Sequence, residues 1–121
     1  MASSVVSDNF ETSTGAIPNI GGADITTRLC SAWVNFDGTG TVAINASYNV
    51  SSITDNGVGI YTVNFTTALP DIDFSLTITS PLHSSDRTNT VPRTTSSCQI
   101  YTYNFAGGST DYDPISVQII R

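Results

Sequence analysis

From Leu29 to Arg121 apolar side chains recur at every second position, and this regularity confines the chain to a β architecture. Cys30, Ala32, Val34 and Phe36 share one face of a first strand, and Val42 and Ile44 share one face of a second. Tyr61, Val63 and Phe65 alternate with Thr62, Asn64 and Thr66, while Ile72, Phe74, Leu76 and Ile78 alternate with Asp73, Ser75, Thr77 and Thr79. Cys98, Ile100 and Thr102 lie opposite Gln99, Tyr101 and Tyr103, and Ile115, Val117 and Ile119 lie opposite Ser116, Gln118 and Ile120. No stretch carries a 3.6-residue apolar stripe, and β-branched and aromatic residues dominate each run. Half-buried strands need a second apolar layer to cover them. The expected fold is therefore all-β, an antiparallel β-sandwich of about seven or eight strands, of jelly-roll or immunoglobulin-like type.

Two glycine steps interrupt the alternation, Asp37-Gly38-Thr39-Gly40 and Asp55-Asn56-Gly57-Val58-Gly59. A phosphate-cradling glycine loop works by opening a helix whose first amides point at the anion. Both loops here run into β-branched alternation with no lysine behind them, so they read as turns in which Asp-Gly and Asn-Gly supply positive φ. The longest irregular stretch, Ser80 to Thr95, holds two prolines, two arginines and the single histidine, and reads as a surface excursion between core strands.

Residues 1–28 are of another kind: rich in Ser, Thr, Gly and Asn, with isolated apolar residues and no period. Such a segment builds no core of its own. The expected organisation is an extended N-terminal arm over 1–28 and a sandwich over 29–121, the arm docking on neighbouring proteins through Val5, Val6, Phe10, Ile17, Ile20 and Ile25, with a frayed terminus as the alternative.

Charge narrows the function. The net charge is −6, with four arginines and no lysine, and Ser plus Thr fill 34 of 121 positions. No basic patch can neutralise a phosphate backbone, so no nucleic-acid partner is expected. No apolar run reaches membrane-spanning length and the first residues lack a secretion signal, so no membrane partner is expected either. Two reduced, buried thiols at Cys30 and Cys98 are the favoured reading, with a bridge between them as the alternative.

Catalytic chemistry finds little purchase. His83 stands among serines too abundant to be informative, and no spacing selects a carboxylate pair, so the chain is expected not to be an enzyme. No cofactor is expected, and no metal: Asp71/Asp73 and Asp111/Asp113 are hard-ligand pairs without a calcium-loop frame and read as solvated turn carboxylates, while two Cys plus one His fall short of a zinc site. The Asn-x-Ser/Thr triplets at Asn45, Asn49 and Asn64 read as unglycosylated strand and turn residues. Trp33, Tyr101 and Tyr103 lie opposite the core residues and are the candidates for a subunit contact, with sugar stacking as the alternative for Trp33. A sandwich of this size with a polar skin buries limited apolar area, which favours an oligomer.

The run from Ala32 to Asp71 resembles a module of bacteriophage and prophage virion proteins, commonly found at the C-terminal end of tail-fibre polypeptides. The resemblance lies in an AWVNF-x-G-T-G-T opening (residues 32–41), a YNVSSITDNG-x-G-x-YTVNFTTA-x-P centre (48–70), and an ISVQII strand (115–120) following TYN at 102–104. It implies a virion structural part on the particle exterior, usually trimeric, assembled in the host cytoplasm and without catalytic residues. Fibres that carry the module usually have a long shaft before it, whereas 28 polar residues precede it here. The expectation is therefore a homotrimeric capsid decoration or cement protein contacting the major capsid protein. The alternative is a short tail-fibre or fibre-tip subunit contacting tail or fibre proteins and recognising a host-surface glycan through the 80–95 loop, with His83, Arg87 and Arg93 as its candidate residues.

Overall fold

The computed structural model describes residues 30–81 and 92–121, together with the backbone of a short strand pair at β1 (Asn19–Ile20) and β2 (Ala23–Asp24). Val5, Val6, Phe10, Ile17, Ile25, Leu29, His83 and Arg87 lie outside the described residues. For Ile20 only its backbone pairing with Ala23 is described.

Seven longer strands follow: β3 (Ala32–Asp37), β4 (Ala43–Tyr48), β5 (Val50–Gly57), β6 (Ile60–Phe65), β7 (Ser75–Thr79), β8 (Ser97–Tyr101) and β9 (Ile115–Ile120). They form two antiparallel sheets, one ordered β4-β3-β9-β7 and the other β5-β6-β8, with no helix among the described residues. The chain is all-β, with the two sheets facing each other as a sandwich. It crosses between the sheets after β4, β6, β7 and β8.

The core is what the alternation predicts. Ala32, Val34 and Phe36 from β3, and Ile115, Val117 and Ile119 from β9, meet Tyr61, Val63 and Phe65 from β6, and Cys98 and Ile100 from β8. Edge-to-face aromatic contacts join the layers: Phe36 to Tyr61 at 5.2 Å between centroids, and Phe65 to Phe74 at 6.0 Å.

Four details depart from the simple pattern. Ile44 pairs with the inward-facing Phe36 yet is exposed, because β4 is an edge strand every residue of which is exposed: the four-stranded sheet overhangs its three-stranded partner there. Ile72 is also exposed, since β7 begins only at Ser75 and Ile72 belongs to the connecting segment. Cys30 is half-buried rather than buried, while Cys98 is fully buried; both are free thiols. β5 is a strand that the alternation does not announce, because most of its residues are exposed.

The passage from β4 to β5 turns on Asn49, the one non-glycine residue with positive φ, 54°, among the described residues. Asparagine tolerates this conformation and its side chain stabilises it. Its Nδ2 donates to the carbonyls of Ser31 (3.0 Å) and Thr67 (3.1 Å), and its Oδ1 accepts from the Thr67 amide at 2.7 Å. One side chain thus ties the strand-switching corner to the entry of β3 and the exit of β6.

Candidate functional site

The glycine loops are turns, and they converge. Asp37 closes the first by accepting from the Thr39 amide (2.7 Å) and hydroxyl (2.6 Å), which hold its carboxyl below the usual carboxylate range, and Gly40 supplies φ +57°. In the second, Gly57 pairs with Ile60 across Val58-Gly59, with φ +134° at Gly57 and +67° at Gly59.

Between the two turns stands Tyr61, whose side chain is completely buried. Its hydroxyl reaches the Asp111 carboxylate at 2.5 Å and the Gly38 carbonyl at 3.0 Å. The same Asp111 oxygen accepts from the Gly59 amide at 2.7 Å. A Cβ on Gly38 would lie 2.5 Å from the Tyr61 hydroxyl oxygen, and one on Gly59 would run into the Thr102 carbonyl and the Thr110 amide. Burial, reinforced by the Asp111 hydrogen bond, pushes the Tyr61 phenol far above its ordinary value, so it stays protonated and donating. Thr102 completes the cluster: its amide donates to the Gly59 carbonyl and its hydroxyl to the Thr110 carbonyl. This network locks the turn of each sheet to the segment before β9. Its polar groups are spent on one another, and what it does is structural.

One carboxylate of each acidic pair, Asp71 and Asp111, is likewise committed. Asp71 accepts both Nε and Nη2 of Arg121 and the Asp73 amide; Arg121 first, then that amide, bring its carboxyl down to about 2. Asp111 belongs to the Tyr61 lock. The three sequon asparagines all use their side-chain amides within the protein: Asn45 on Asn35, Asn49 at the corner, and Asn64 on Ser52 and Thr54. Arg93 lays its guanidinium over the Phe74 ring, 5.0 Å from the centroid, and donates to the Phe74 carbonyl at 2.6 Å.

The remaining features are the two outer faces, and on both some outward polar side chains bond to one another, on the four-stranded sheet from Asn45 to Asn35 and from Asn35 to Ser116. On the three-stranded sheet the outward polar side chains bond to each other: Asn56 to Thr62, Asn64 to Ser52 and Thr54, and the Tyr101 hydroxyl to Gln99. Tyr101 and Tyr103 stand there with nearly parallel rings, 6.4 Å between centroids and 7° between planes.

On the four-stranded sheet, Trp33 is 37% exposed and pairs directly with Tyr48, 58% exposed, while Ile120 lies nearby, 47% exposed. The three aromatic contact candidates therefore fall on opposite sides of the sandwich, with Trp33 on one face and Tyr101 and Tyr103 on the other. Tyr48 is missed by alternation alone, because its strand has no buried face against which to recognise an outward one.

The chain matches no family model, and no curated protein or solved structure is significantly similar to it.

Proposed function

We propose that this chain is a bacteriophage virion structural protein, displayed on the particle exterior as a homotrimer and serving as a capsid decoration or cement protein. One observation carries the reading. The residues through which the sequence resembles the virion module are those that build this fold: Ala32, Val34 and Phe36 in the core, Gly38 beneath the Tyr61 hydroxyl, Asn49 at the corner, Gly57 and Gly59 in the turn, and Tyr61, Val63 and Phe65 in β6. Motif residues spent on architecture support a structural role over a catalytic one. In this reading the arm over 1–28 seats the trimer on the major capsid protein, and the exposed apolar row on the four-stranded sheet is available for protein contact.

A second reading has its own observation. The near-parallel Tyr101 and Tyr103 rings beside Gln99 offer flat apolar surface next to an amide, the chemistry that recognises a saccharide, and so favour a short tail-fibre or fibre-tip subunit that binds a host-surface glycan.

Copy number separates the two. A quantitative gel of purified virions should show hundreds of copies per particle for capsid decoration, whereas a few to a few dozen would assign the chain to a tail or fibre. Absence from purified particles would refute both.

A further inference from the structure

Asn56 is the one asparagine of the chain that is followed by glycine. Such a step carries its own chemistry, because the next backbone nitrogen can attack the side-chain amide and glycine places no Cβ in the way. We propose that Asn56 is a site of spontaneous deamidation in this chain, and that the side chains of Thr62 and Asp55 hold the reaction back while the β5–β6 hairpin is closed.

The reaction balances with water alone. Base takes the proton from the Gly57 nitrogen, which attacks Asn56 Cγ; the Cγ–Nδ2 bond breaks, and Nδ2 leaves as ammonia after collecting a proton. Water then opens the five-membered imide at either carbonyl, giving aspartate or isoaspartate. One water is consumed, one ammonia is released, and the chain gains one negative charge.

The hairpin gives access. Asn56 and Gly57 are exposed at the end of β5, an edge strand paired only with β6 among the described residues. Asp55 pairs with Tyr61 and Gly57 with Ile60, so Asn56 is the extra residue of a bulge and nothing stands opposite it in the ladder. Gly57 has φ +134°, which glycine adopts freely. The Asp37-Gly38 step, which could close the same ring, is worse placed. The Asp37 carboxylate is held by Thr39, its leaving group would be an oxygen, and the Gly38 amide donates to the Tyr112 carbonyl at 2.9 Å.

The hairpin also gives restraint. Asn56 Nδ2 donates to Thr62 Oγ1 at 2.7 Å. Thr62 pairs with Thr54, two residues back along β5, so this bond draws the amide away from Gly57. The Gly57 amide donates to Asp55 Oδ1 at 3.0 Å, and a carboxylate beside that N–H disfavours the anion that must form there. Electrophile and nucleophile are thus tied to different side chains, and both ties must open. One such bond shifts an opening equilibrium by a factor of about five, so the two together protect the site by about tenfold or more. The product weakens the hairpin that restrained it: the donor to Thr62 is gone, and a new carboxylate joins Asp37, Asp55 and Asp111, which already act on the Tyr61 phenol.

The test incubates the full chain in mildly alkaline buffer, folded and guanidinium-unfolded, and follows the Asn56 peptide by mass spectrometry. A gain of about 1 Da reports deamidation, and electron-transfer fragmentation distinguishes isoaspartate from aspartate. Asn56 should be the fastest site in both states, and about tenfold or more slower in the folded protein. Thr62→Val, which keeps the β-branched shape, should raise the folded rate about fivefold and leave the unfolded rate unchanged, whereas Thr62→Ser, which keeps the hydroxyl, should behave as wild type. Ile119→Val loosens the core far from the hairpin and should leave the folded rate unchanged, which separates the local tie from global stability. If Thr62→Val fails to fold, Asp55→Ala decides the matter: its ratio of folded to unfolded rate should rise about fivefold. Faster deamidation at another asparagine overturns the site. Equal folded and unfolded rates in wild type, or a Thr62→Val rate no greater than that of Thr62→Ser, overturn the restraint.

Discussion

Removing one oxygen atom from the centre of the sandwich, by Tyr61→Phe, tests the lock between the two glycine turns. The ring keeps its edge-to-face contact with Phe36, so the change isolates the hydroxyl. That hydroxyl is the buried partner of the Asp111 carboxylate at 2.5 Å and also approaches the Gly38 carbonyl. A hydrogen bond to a charged group is worth about 1.5–3 kcal/mol net, and the carboxylate left behind keeps only the Gly59 amide as compensation within this cluster. The expected loss is therefore about 2–3 kcal/mol. At about 4–8 °C per kcal/mol for a domain of this size, the melting temperature should fall by about 10–20 °C.

The assay is urea denaturation followed by far-UV circular dichroism, with all variants at one protein concentration so that any assembly contributes equally. A double-mutant cycle with Asp111→Ala should return a coupling energy of about 1–3 kcal/mol. A pH dependence follows from the phenol. Its native pKa is raised, so its contribution is fully present below the unfolded value of about 10 and is lost as pH rises above it, because the unfolded tyrosine ionises first. Wild type should lose that increment in alkali and Tyr61→Phe should not. A Tyr61→Phe protein within about 0.5 kcal/mol of wild type, or strictly additive losses in the cycle, would refute the lock.

Other expectations follow from the same geometry. Gly59→Ala should be far more damaging than Gly40→Ala: both positions have positive φ, which costs about 1–2 kcal/mol for a Cβ, but only Gly59 also meets backbone atoms; paired thermal melts compare them. Asn49→Gly retains the backbone freedom and loses the hydrogen bonds at the sheet-switching corner, so urea titration should show a loss of about 1–3 kcal/mol. Burial pushes the Cys98 thiol up to about 12, so mass spectrometry after alkylation at neutral pH should find Cys30 modified first and Cys98 only as the protein unfolds. Asp71→Asn should lower the melting temperature at neutral pH and low salt, and the difference should vanish as pH falls through about 2, where the native carboxylate itself becomes protonated.

Where a strand is buried on one side, the sequence displays it. β3, β6, β8 and β9 each alternate in burial as their residues alternate in polarity, because the opposing sheet covers them along their length. β4 and β5 do not announce themselves in this way. Six exposed residues in Ala43–Tyr48, and a β5 buried at Val50 and only partly at Ile53, leave period 2 with nothing to mark, although both strands are fixed by register to their neighbours. The glycine steps were readable as turns from Asp-Gly and Asn-Gly chemistry. Their convergence on Tyr61 and Asp111 was not, since it joins residues 50 positions apart and depends on which strands meet.

The same limit governs the candidate contact surface. Trp33, Tyr101 and Tyr103 share a local property, alternation against a core residue, and local sequence therefore groups them together. Only topology separates them, because β3 and β8 belong to different sheets. Once they are separated, both faces prove to carry mutually bonded amides and hydroxyls, Asn56–Thr62 and Asn64–Thr54 on one and Asn45–Asn35–Ser116 on the other, and the four-stranded face also exposes a tryptophan, a tyrosine and an isoleucine. The separation of Trp33 from Tyr101 and Tyr103 thus comes from the pairing of strands into sheets, which no count of residue types contains.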